Sequence, residues 1–213
     1  MNSKISLIIP VFNESNEIEN FFNELKKCNF NKVNEIIFVD DCSTDNSIEL
    51  LKKKITEFRQ SNFDLNLLLI SNLKNRGYGF SIKKGVAISS NDSIAIIDLD
   101  RTYKIEDLNL LAKIFIEDYN LKYDLIAGER SINSKNTSKL KILGKKIINT
   151  LTNFCFNEKI EDYNSGLRIF NKSKFIKHKH IMSDKFSLTT SMTITFLNEN
   201  YDIKFQKIKY EER

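Results

Sequence analysis

Two aspartates separated by one residue, Asp98 and Asp100, have a spacing that suggests metal chemistry. They follow an apolar run at 93–97 that predicts a buried strand. Residues two apart in an extended chain point to the same side, so both carboxylates face one direction. Two carboxylates at a strand end can hold Mg²⁺ together with the phosphates of a substrate. The alternative is that Asp100 only caps the helix predicted to follow.

Two further aspartates, Asp40 and Asp41, follow another predicted strand and precede the sequence Cys-Ser-Thr-Asp. Thr44 or Asp45 is expected to cap the next helix, because a side-chain oxygen there accepts its free N–H groups. Asp41 then remains as a carboxylate at the edge of the sheet. Its position suits a ribose hydroxyl or the edge of a nucleotide base.

The first and fifth predicted strands also end in polar residues. Pro10 stiffens the loop after the first strand, over which a base can lie. Glu14 is either part of this site or an ordinary first-turn acid favoured by the helix dipole. Arg130 follows the fifth predicted strand. The charged strand ends are therefore expected to converge on one crevice.

Common nucleotide-binding motifs are missing from the sequence. The segment 75–79 reads Asn-Arg-Gly-Tyr-Gly, which has two glycines but is not GxGxxG, and no Walker loop is present. These observations disfavour a Rossmann dehydrogenase and a P-loop NTPase. Arg76 either meets a phosphate or belongs to a plain turn.

The elements that position these residues alternate along the chain. Apolar runs predict strands at 4–9, 35–39, 65–70, 93–97 and 124–127, with helices at 13–28, 48–58, up to 86 and at 105–119. A last helix is predicted at 188–197 and a last strand at 203–210. This alternation predicts an α/β fold with a mostly parallel central sheet flanked by helices. Ligands of such sheets bind outside the carboxyl ends of the strands.

Composition narrows the class of protein. The chain has 213 residues, which favours one domain, and no apolar stretch long enough to span a membrane. A net charge of +5 is too small for a dedicated nucleic-acid binder, so no nucleic-acid partner is expected. Three widely spaced cysteines predict neither disulfides nor a zinc site, which fits a reducing, cytoplasmic location. The lysine-rich stretch 135–146 is either a solvated helix face or a peripheral contact with anionic lipid headgroups.

Seven motifs in order resemble family 2 glycosyltransferases of the GT-A fold, and among them the dolichol-phosphate mannosyltransferase-like and polyprenyl-phosphate enzymes. The motifs are IIPVFNES at 8–15, VDDCSTDNS at 39–47, NRGYGFSIKKGV at 75–86, DLDRTY at 98–103, AGER at 127–130, DYNSGLRIF at 162–170 and IKYEER at 208–213. The resemblance covers nearly the whole chain. It implies a single catalytic domain at 1–213, with a nucleotide-sugar-binding half at 1–130 and an acceptor-binding half at 131–213.

The resemblance also implies a set of site residues. Those that would bind the nucleotide-sugar are Pro10, Phe12, Glu14, Asp41, Asp98, Leu99 and Asp100. Asp98 and Asp100 would hold Mg²⁺ or Mn²⁺ bridging the donor diphosphate. The basic residues expected at acceptor or donor phosphates are Arg130, Arg168 and Arg213, because the planar fork of arginine suits phosphate oxygens.

The implied reaction is a hexosyl transfer from a GDP- or UDP-linked sugar to a polyprenyl or dolichyl phosphate, with inversion at the anomeric carbon. An acceptor phosphate is already anionic and needs no general base. A saccharide hydroxyl, the alternative acceptor, needs one, and Asp162 is then the first candidate and Glu161 the second. Arg130 and Arg168 complete the expected catalytic set. Less favoured alternatives are a nucleotidyltransferase and a non-catalytic nucleotide-sugar binder.

Three positions depart from the family pattern. Ser191 stands in the late helix where many relatives carry glutamate, which argues against a conventional acceptor site. Cys42 replaces the glycine usual in VDDGS, which is expected to change how tightly the loop turns. Arg101 follows the Asp98–Asp100 pair where relatives usually have an uncharged residue, so the charge balance of the metal site is expected to differ.

Overall fold

A seven-stranded sheet forms the centre of the computed structural model, which describes residues 4–28, 30, 32–61, 65–117, 123–130 and 162–210. The strands are β1 (Ile5–Val11), β2 (Val33–Asp40), β3 (Asn66–Ser71), β4 (Ser93–Ile96), β5 (Leu125–Arg130), β6 (Arg168–Asn171) and β7 (Ile203–Ile208). The helices are α1 (Ser15–Lys27), α2 (Ser47–Ser61), α3 (Tyr78–Ile88), α4 (Ile105–Glu117), α5 (Lys172–His178) and α6 (Leu188–Asn198).

The strand order is β3-β2-β1-β4-β6-β5-β7, and the sheet is mostly parallel, as predicted. Strands β1 to β4 run parallel to one another, and β7 is parallel to β5. Strand β6 is antiparallel to both of its neighbours, β4 and β5. The sequence patterns did not predict β6 or α5, because elements of four and seven residues are too short to show a clear periodicity.

Helices cover both faces of the sheet, which explains why its strands are continuous apolar runs. Along β2, Ile36 and Phe38 face the cluster that includes the buried side chains of α1, α2 and α4. Ile37 and Val39 face the opposite cluster, which includes buried side chains of α3, α5 and α6. Aromatic side chains fill much of the first cluster; the rings of Phe22 and Phe38 stack with centroids 5.6 Å apart.

The sheet topology brings the predicted site residues to one edge. Strands β1, β2, β4 and β5 end at this edge, and the antiparallel β6 begins there. Its first residue, Arg168, pairs with Ile96 of β4 and with Ala127 of β5. In the portion of the chain that the structure describes, no helix is both long and apolar enough to cross a membrane.

Candidate active site

A cavity of about 430 Å³ opens at the carboxyl ends of the strands. Its lining includes eight of the predicted site residues: Pro10, Phe12, Glu14, Asp41, Asp98, Leu99, Asp100 and Arg130. Asp162 and Arg168 are described by the structure but do not line the cavity. Arg213, Glu161 and the lysine-rich stretch 135–146 lie outside the described residues.

The Asp98 carboxylate sits at the inner end of the cavity with little compensation for its charge. Burial is the main cause that raises the pKa of Asp98, to about 6, and the nearby charge of Asp100 adds to it. Within the described residues, Asp98 Oδ1 is buried and has no hydrogen-bond partner. A buried, unsatisfied carboxylate oxygen beside a second carboxylate is an arrangement that a divalent cation stabilises.

Asp100 is oriented by the turn that follows it. Its Oδ1 accepts hydrogen bonds from Thr102 N at 3.1 Å and from Thr102 Oγ1 at 2.7 Å. Helix α4 begins only at Ile105. Asp98 and Asp100 fit Mg²⁺ or Mn²⁺, but the described residues contain no cluster of three or more His, Cys, Asp or Glu side chains that could hold a metal. The other ligands would therefore have to be substrate phosphates and water.

Asp41 is engaged by protein on both carboxylate oxygens. Oδ1 accepts from Asn72 Nδ2 at 2.7 Å and from Arg76 N at 2.8 Å, while Oδ2 accepts from Gly77 N at 2.6 Å. Asp41 therefore fixes the loop between β3 and α3 at the wall of the cavity. The Arg76 guanidinium carbon lies 4.0 Å from the centroid of the Phe80 ring, and Arg76 is not among the residues that line the cavity.

The predictions for the neighbouring loops can be compared with their hydrogen bonds. Asp45 Oδ1 accepts from the N–H of Ser47, the first residue of α2, which confirms Asp45 as its capping residue. Glu14 occupies the N-cap position of α1, but its side chain makes no capping hydrogen bond and lines the cavity. The backbone of Cys42 has φ of +64°, in the region where glycine is favoured.

Arg101 does not direct its charge at the aspartate pair. Its Nε lies 2.8 Å from Glu17 Oε2, and its Nη1 lies 3.6 Å from Glu24 Oε1, both on α1. The residue itself has φ of +61° and turns its side chain away from the cavity lining. The charge balance of the predicted metal site is thus set by the carboxylates and by Arg130.

Arg130 and Asp162 form a bidentate ion pair. Arg130 Nε lies 2.6 Å from Asp162 Oδ2, and Nη2 lies 2.8 Å from Oδ1. Burial is the largest single influence on the pKa of Arg130 and lowers it, but the hydrogen bonds to Asp162, together with the charges of Asp162 and the neighbouring tyrosines, outweigh burial and raise the pKa. The structure does not favour Asp162 as the general base, because its carboxylate is 1% exposed and both oxygens are bound to Arg130.

Arg168, which was predicted to meet a phosphate, is surrounded by protein and does not line the cavity. Its side chain is fully buried, and burial lowers its pKa to about 10. All five of its N–H groups have protein acceptors: Tyr163 O, Ser165 O twice, Thr189 O and Thr193 Oγ1. The guanidinium therefore has no donor left for a ligand in this structure.

The structure adds cavity residues that sequence reasoning did not single out. Phe186 is 81% exposed and stacks on Tyr78, with ring centroids 5.6 Å apart. No sequence signal identified Phe186. Tyr103 and Gly166 lie inside motifs that were recognised, and their positions in those motifs were the available signal.

Comparison with known proteins gives the same family as the motifs. The family model described as glycosyl transferase family 2 matches residues 6–179. A dolichyl-phosphate beta-glucosyltransferase from Dictyostelium discoideum is 26% identical over 137 residues, covering 61% of this chain and 41% of that protein. A UDP-N-acetylglucosamine–dolichyl-phosphate N-acetylglucosaminyltransferase from Methanococcus voltae is 29% identical over 185 residues, covering 79% and 70%.

An undecaprenyl-phosphate 4-deoxy-4-formamido-L-arabinose transferase from Salmonella choleraesuis is 28% identical over 174 residues, covering 79% of this chain and 49% of that protein. The chain thus spans less than half the length of two of these three relatives.

Solved structures establish the fold. Glucosyl-3-phosphoglycerate synthase from Mycobacterium tuberculosis, in a complex with Mn²⁺, UDP and glucosyl-3-phosphoglycerate, superposes with a TM-score of 0.69 at 14% identity. The match covers 99% of this chain and 73% of that one. S. aureus TarS 1–349 gives a TM-score of 0.64 at 18% identity, covering 99% and 58%. The predicted GT-A fold is confirmed.

Proposed function

The chain belongs to glycosyl transferase family 2, and we propose that it transfers a hexosyl group from a nucleotide-sugar to a polyprenyl phosphate. The names of the relatives support this acceptor, since they are transferases of dolichyl and undecaprenyl phosphates. The chain spans only part of those proteins, so their substrates enter here as part of the proposal.

The distribution of charge in the cavity is the observation that carries the proposal. The carboxylates that line it in the described part of the chain are Glu14, Asp41, Asp98 and Asp100. All four follow β1, β2 or β4, whereas the end of β5 contributes Arg130. Arg130 is the one lysine or arginine side chain that lines the cavity in the described part of the chain, and Asp162, its partner, does not line the cavity. A cationic group there favours an acceptor that is itself anionic, and a phosphate oxygen attacks without a general base.

The donor is proposed to lie across the ends of β1, β2 and β4. Pro10, Phe12, Glu14 and Asp41 surround the space for the base and ribose. Asp98 and Asp100 would hold a divalent cation, and Leu99 lies between them. A cation held there would supply positive charge against the departing nucleoside diphosphate.

Arg130 then has a defined part in the transfer. Its guanidinium is held by Asp162 on one side and lies 5.1 Å from the centroid of the Tyr210 ring. We assign it the acceptor phosphate, which it orients and whose charge it balances. The acceptor oxygen attacks the anomeric carbon opposite the leaving diphosphate, so the new bond has inverted configuration.

The test is a panel of UDP- and GDP-hexoses offered with undecaprenyl phosphate, dolichyl phosphate, the unphosphorylated alcohols and free saccharides, with Mn²⁺ or with EDTA. We expect product only with a phosphorylated lipid and only with the metal. Asp98→Asn is expected to lower turnover about 100-fold or more, because it removes one charge from the carboxylate pair.

Asp92→Asn is the matched control, since Asp92 is exposed near the opposite end of β4. Its turnover should equal that of the wild type. Transfer to a saccharide hydroxyl in preference to a lipid phosphate contradicts the proposed acceptor, and full activity in EDTA contradicts the metal.

A further inference from the structure

The loop formed by residues 162–168 contacts two sides of the cavity, the side that contains Asp98 and the side that contains Arg130. We propose that this loop is a positioning element that sets the Asp98 carboxylate relative to the Arg130 guanidinium. Gly166 and Arg168 are the positioning residues within it. The inference rests on the proposed function for the roles of Asp98 and Arg130, and it concerns residues that do not themselves react.

Gly166 leaves the space that the Asp98 carboxylate occupies. A Cβ atom on Gly166 would lie 2.4 Å from Asp98 Oδ2 and 3.0 Å from Asp98 Cγ, which are distances that real contacts do not reach or barely reach. Among the described glycines, Gly77 is the one with a positive φ, so backbone conformation does not explain glycine at 166. The reason for glycine here is the close approach of Asp98.

The same residue is tied to the tyrosines beside Arg130. Gly166 N donates to Tyr103 Oη at 2.7 Å. Tyr103 forms a backbone bridge with Tyr210, and their ring centroids are 5.3 Å apart. The Tyr210 ring in turn lies under the Arg130 guanidinium. A continuous series of contacts therefore joins Asp98, at the proposed metal site, to Arg130, at the proposed phosphate site.

Asp162, the first residue of the loop, holds Arg130 directly. Asp162 accepts from Arg130 Nε, from Arg130 Nη2 and from the Arg130 backbone N–H at 3.2 Å. Three hydrogen bonds to one arginine leave its side chain little freedom. Displacing Asp162 would move the guanidinium with it.

Arg168 makes the loop rigid from inside. Its guanidinium donates to the carbonyls of Tyr163 and Ser165 within the loop and to Thr189 O and Thr193 Oγ1 of α6. As the first residue of β6, it also lies between the strands that lead to Asp98 and to Arg130. The loop thus has one conformation, anchored to both strands at the point where their functional residues project.

The experiment compares Gly166→Ala with Gly85→Ala. A Cβ on Gly85 would lie 2.6 Å from Ile8 Cγ2, so this control adds a methyl group to an equally crowded site away from Asp98. Mn²⁺ binding is measured by titration calorimetry with UDP or GDP present, and the melting temperature is recorded for each variant. We expect Gly166→Ala to weaken Mn²⁺ binding about tenfold or more, as displacement of an outer-shell support does. Gly85→Ala should leave Mn²⁺ binding within about twofold of the wild type, since it does not touch the Asp98 support.

Equal Mn²⁺ affinities in the two variants overturn the role of Gly166. If Gly166→Ala does not fold, Tyr103→Phe replaces it, because that change removes the acceptor of the Gly166 N–H without adding volume. The expected result is then a weakening of Mn²⁺ binding of a few-fold, and an unchanged affinity overturns the inference.

Arg168→Lys separates positioning from phosphate binding. It keeps the positive charge but loses most of the hydrogen bonds that hold the loop, so we expect kcat to fall at least tenfold with little change in KM for the lipid phosphate. A raised KM with unchanged kcat contradicts the positioning role.

The proposed function and the positioning role of the loop can be refuted by different results. A wild-type chain that binds Mn²⁺ in a Gly166-dependent manner but transfers to no lipid phosphate refutes the proposed acceptor and leaves the inference standing. A wild-type chain that binds no Mn²⁺ with either nucleotide refutes both.

Discussion

Arg130 and Arg168 have the same side chain and lie near the same end of the sheet, yet their surroundings differ and so do the roles that we propose for them. Arg130 lines the cavity and is paired with one carboxylate, so it remains a charged group that faces the cavity. Arg168 is fully buried, and neutral oxygens accept all of its hydrogen bonds. The aspartates divide in the same way, since Asp41 and Asp162 are occupied by protein donors while Asp98 keeps an unsatisfied oxygen.

Cys42 provides a prediction at the scale of one residue. Its φ of +64° lies in the left-handed region, where a side chain costs about 1–2 kcal/mol relative to glycine. Replacing Cys42 with glycine removes this cost. Part of the resulting stabilisation is offset by the greater conformational freedom of glycine in the unfolded chain. We expect Cys42→Gly to raise the free energy of unfolding by about 0.5–1 kcal/mol in urea titrations.

Asn13→Gly is the control, because Asn13 also has a positive φ but its side chain accepts a hydrogen bond from Thr44 N at 2.8 Å. This variant should be less stable than the wild type. A loss of stability in Cys42→Gly would show that the Cys42 side chain contributes more than its backbone strain costs.

The elements that shape the cavity are loops at strand ends, and each is held by a side chain from another loop. Asp41, after β2, binds the loop that follows β3. The 162–168 loop, before β6, binds residues that follow β4 and end β5. Loops restrained in this way form a cavity wall before any substrate arrives, which lowers the entropic cost of binding.

The loop between β3 and α3 provides a prediction at this scale. Asp41→Asn places an amide N–H₂ group against the N–H donors that the carboxylate now accepts. We expect the free energy of unfolding to fall by about 1–3 kcal/mol and the KM for the nucleotide-sugar to rise, because the loop no longer forms the cavity wall. Thermal denaturation and initial-rate kinetics measure the two effects.

Lys74→Gln in the same loop is exposed and serves as its control. An Asp41→Asn variant with wild-type stability and a raised KM would instead indicate that Asp41 contacts the donor directly, as the motif resemblance implies.

At the scale of the whole molecule, the carboxyl and amino ends of the parallel strands have different roles. The carboxyl ends of the parallel strands carry the cavity. Near their amino ends, the buried Glu35 accepts from Ser90 N at 2.9 Å and from Ser90 Oγ at 3.0 Å, and Ser6 Oγ also donates to it. This network is fully satisfied and lies outside the cavity lining, so we assign it to stability alone.

Glu35 gives the prediction that separates the two ends. Glu35→Ala removes a buried acceptor of three donors, one on the buried Ser6 and two on the exposed Ser90, so we expect the free energy of unfolding to fall by about 1–3 kcal/mol. At a temperature where the variant is folded, its Mn²⁺ affinity and kcat should match those of the wild type. A changed kcat at full folding would mean that the two ends of the sheet are coupled.

The sequence alone determined the order of most elements and the identity of the residues at their ends. Those features depend on local periodicity, and Asp98, Asp41 and Arg130 lie within two residues of a strand end, so the α/β topology brings them together. Only the tertiary structure decided which of these groups remain available to a ligand. Asp162 contacts Arg130, which is 32 positions away in the sequence, and Gly166 approaches Asp98 from the loop before β6. No local sequence pattern indicates such contacts. Burial and hydrogen bonding by distant residues, rather than residue type, decide that Arg130 lines the cavity while Asp162 and Arg168 do not.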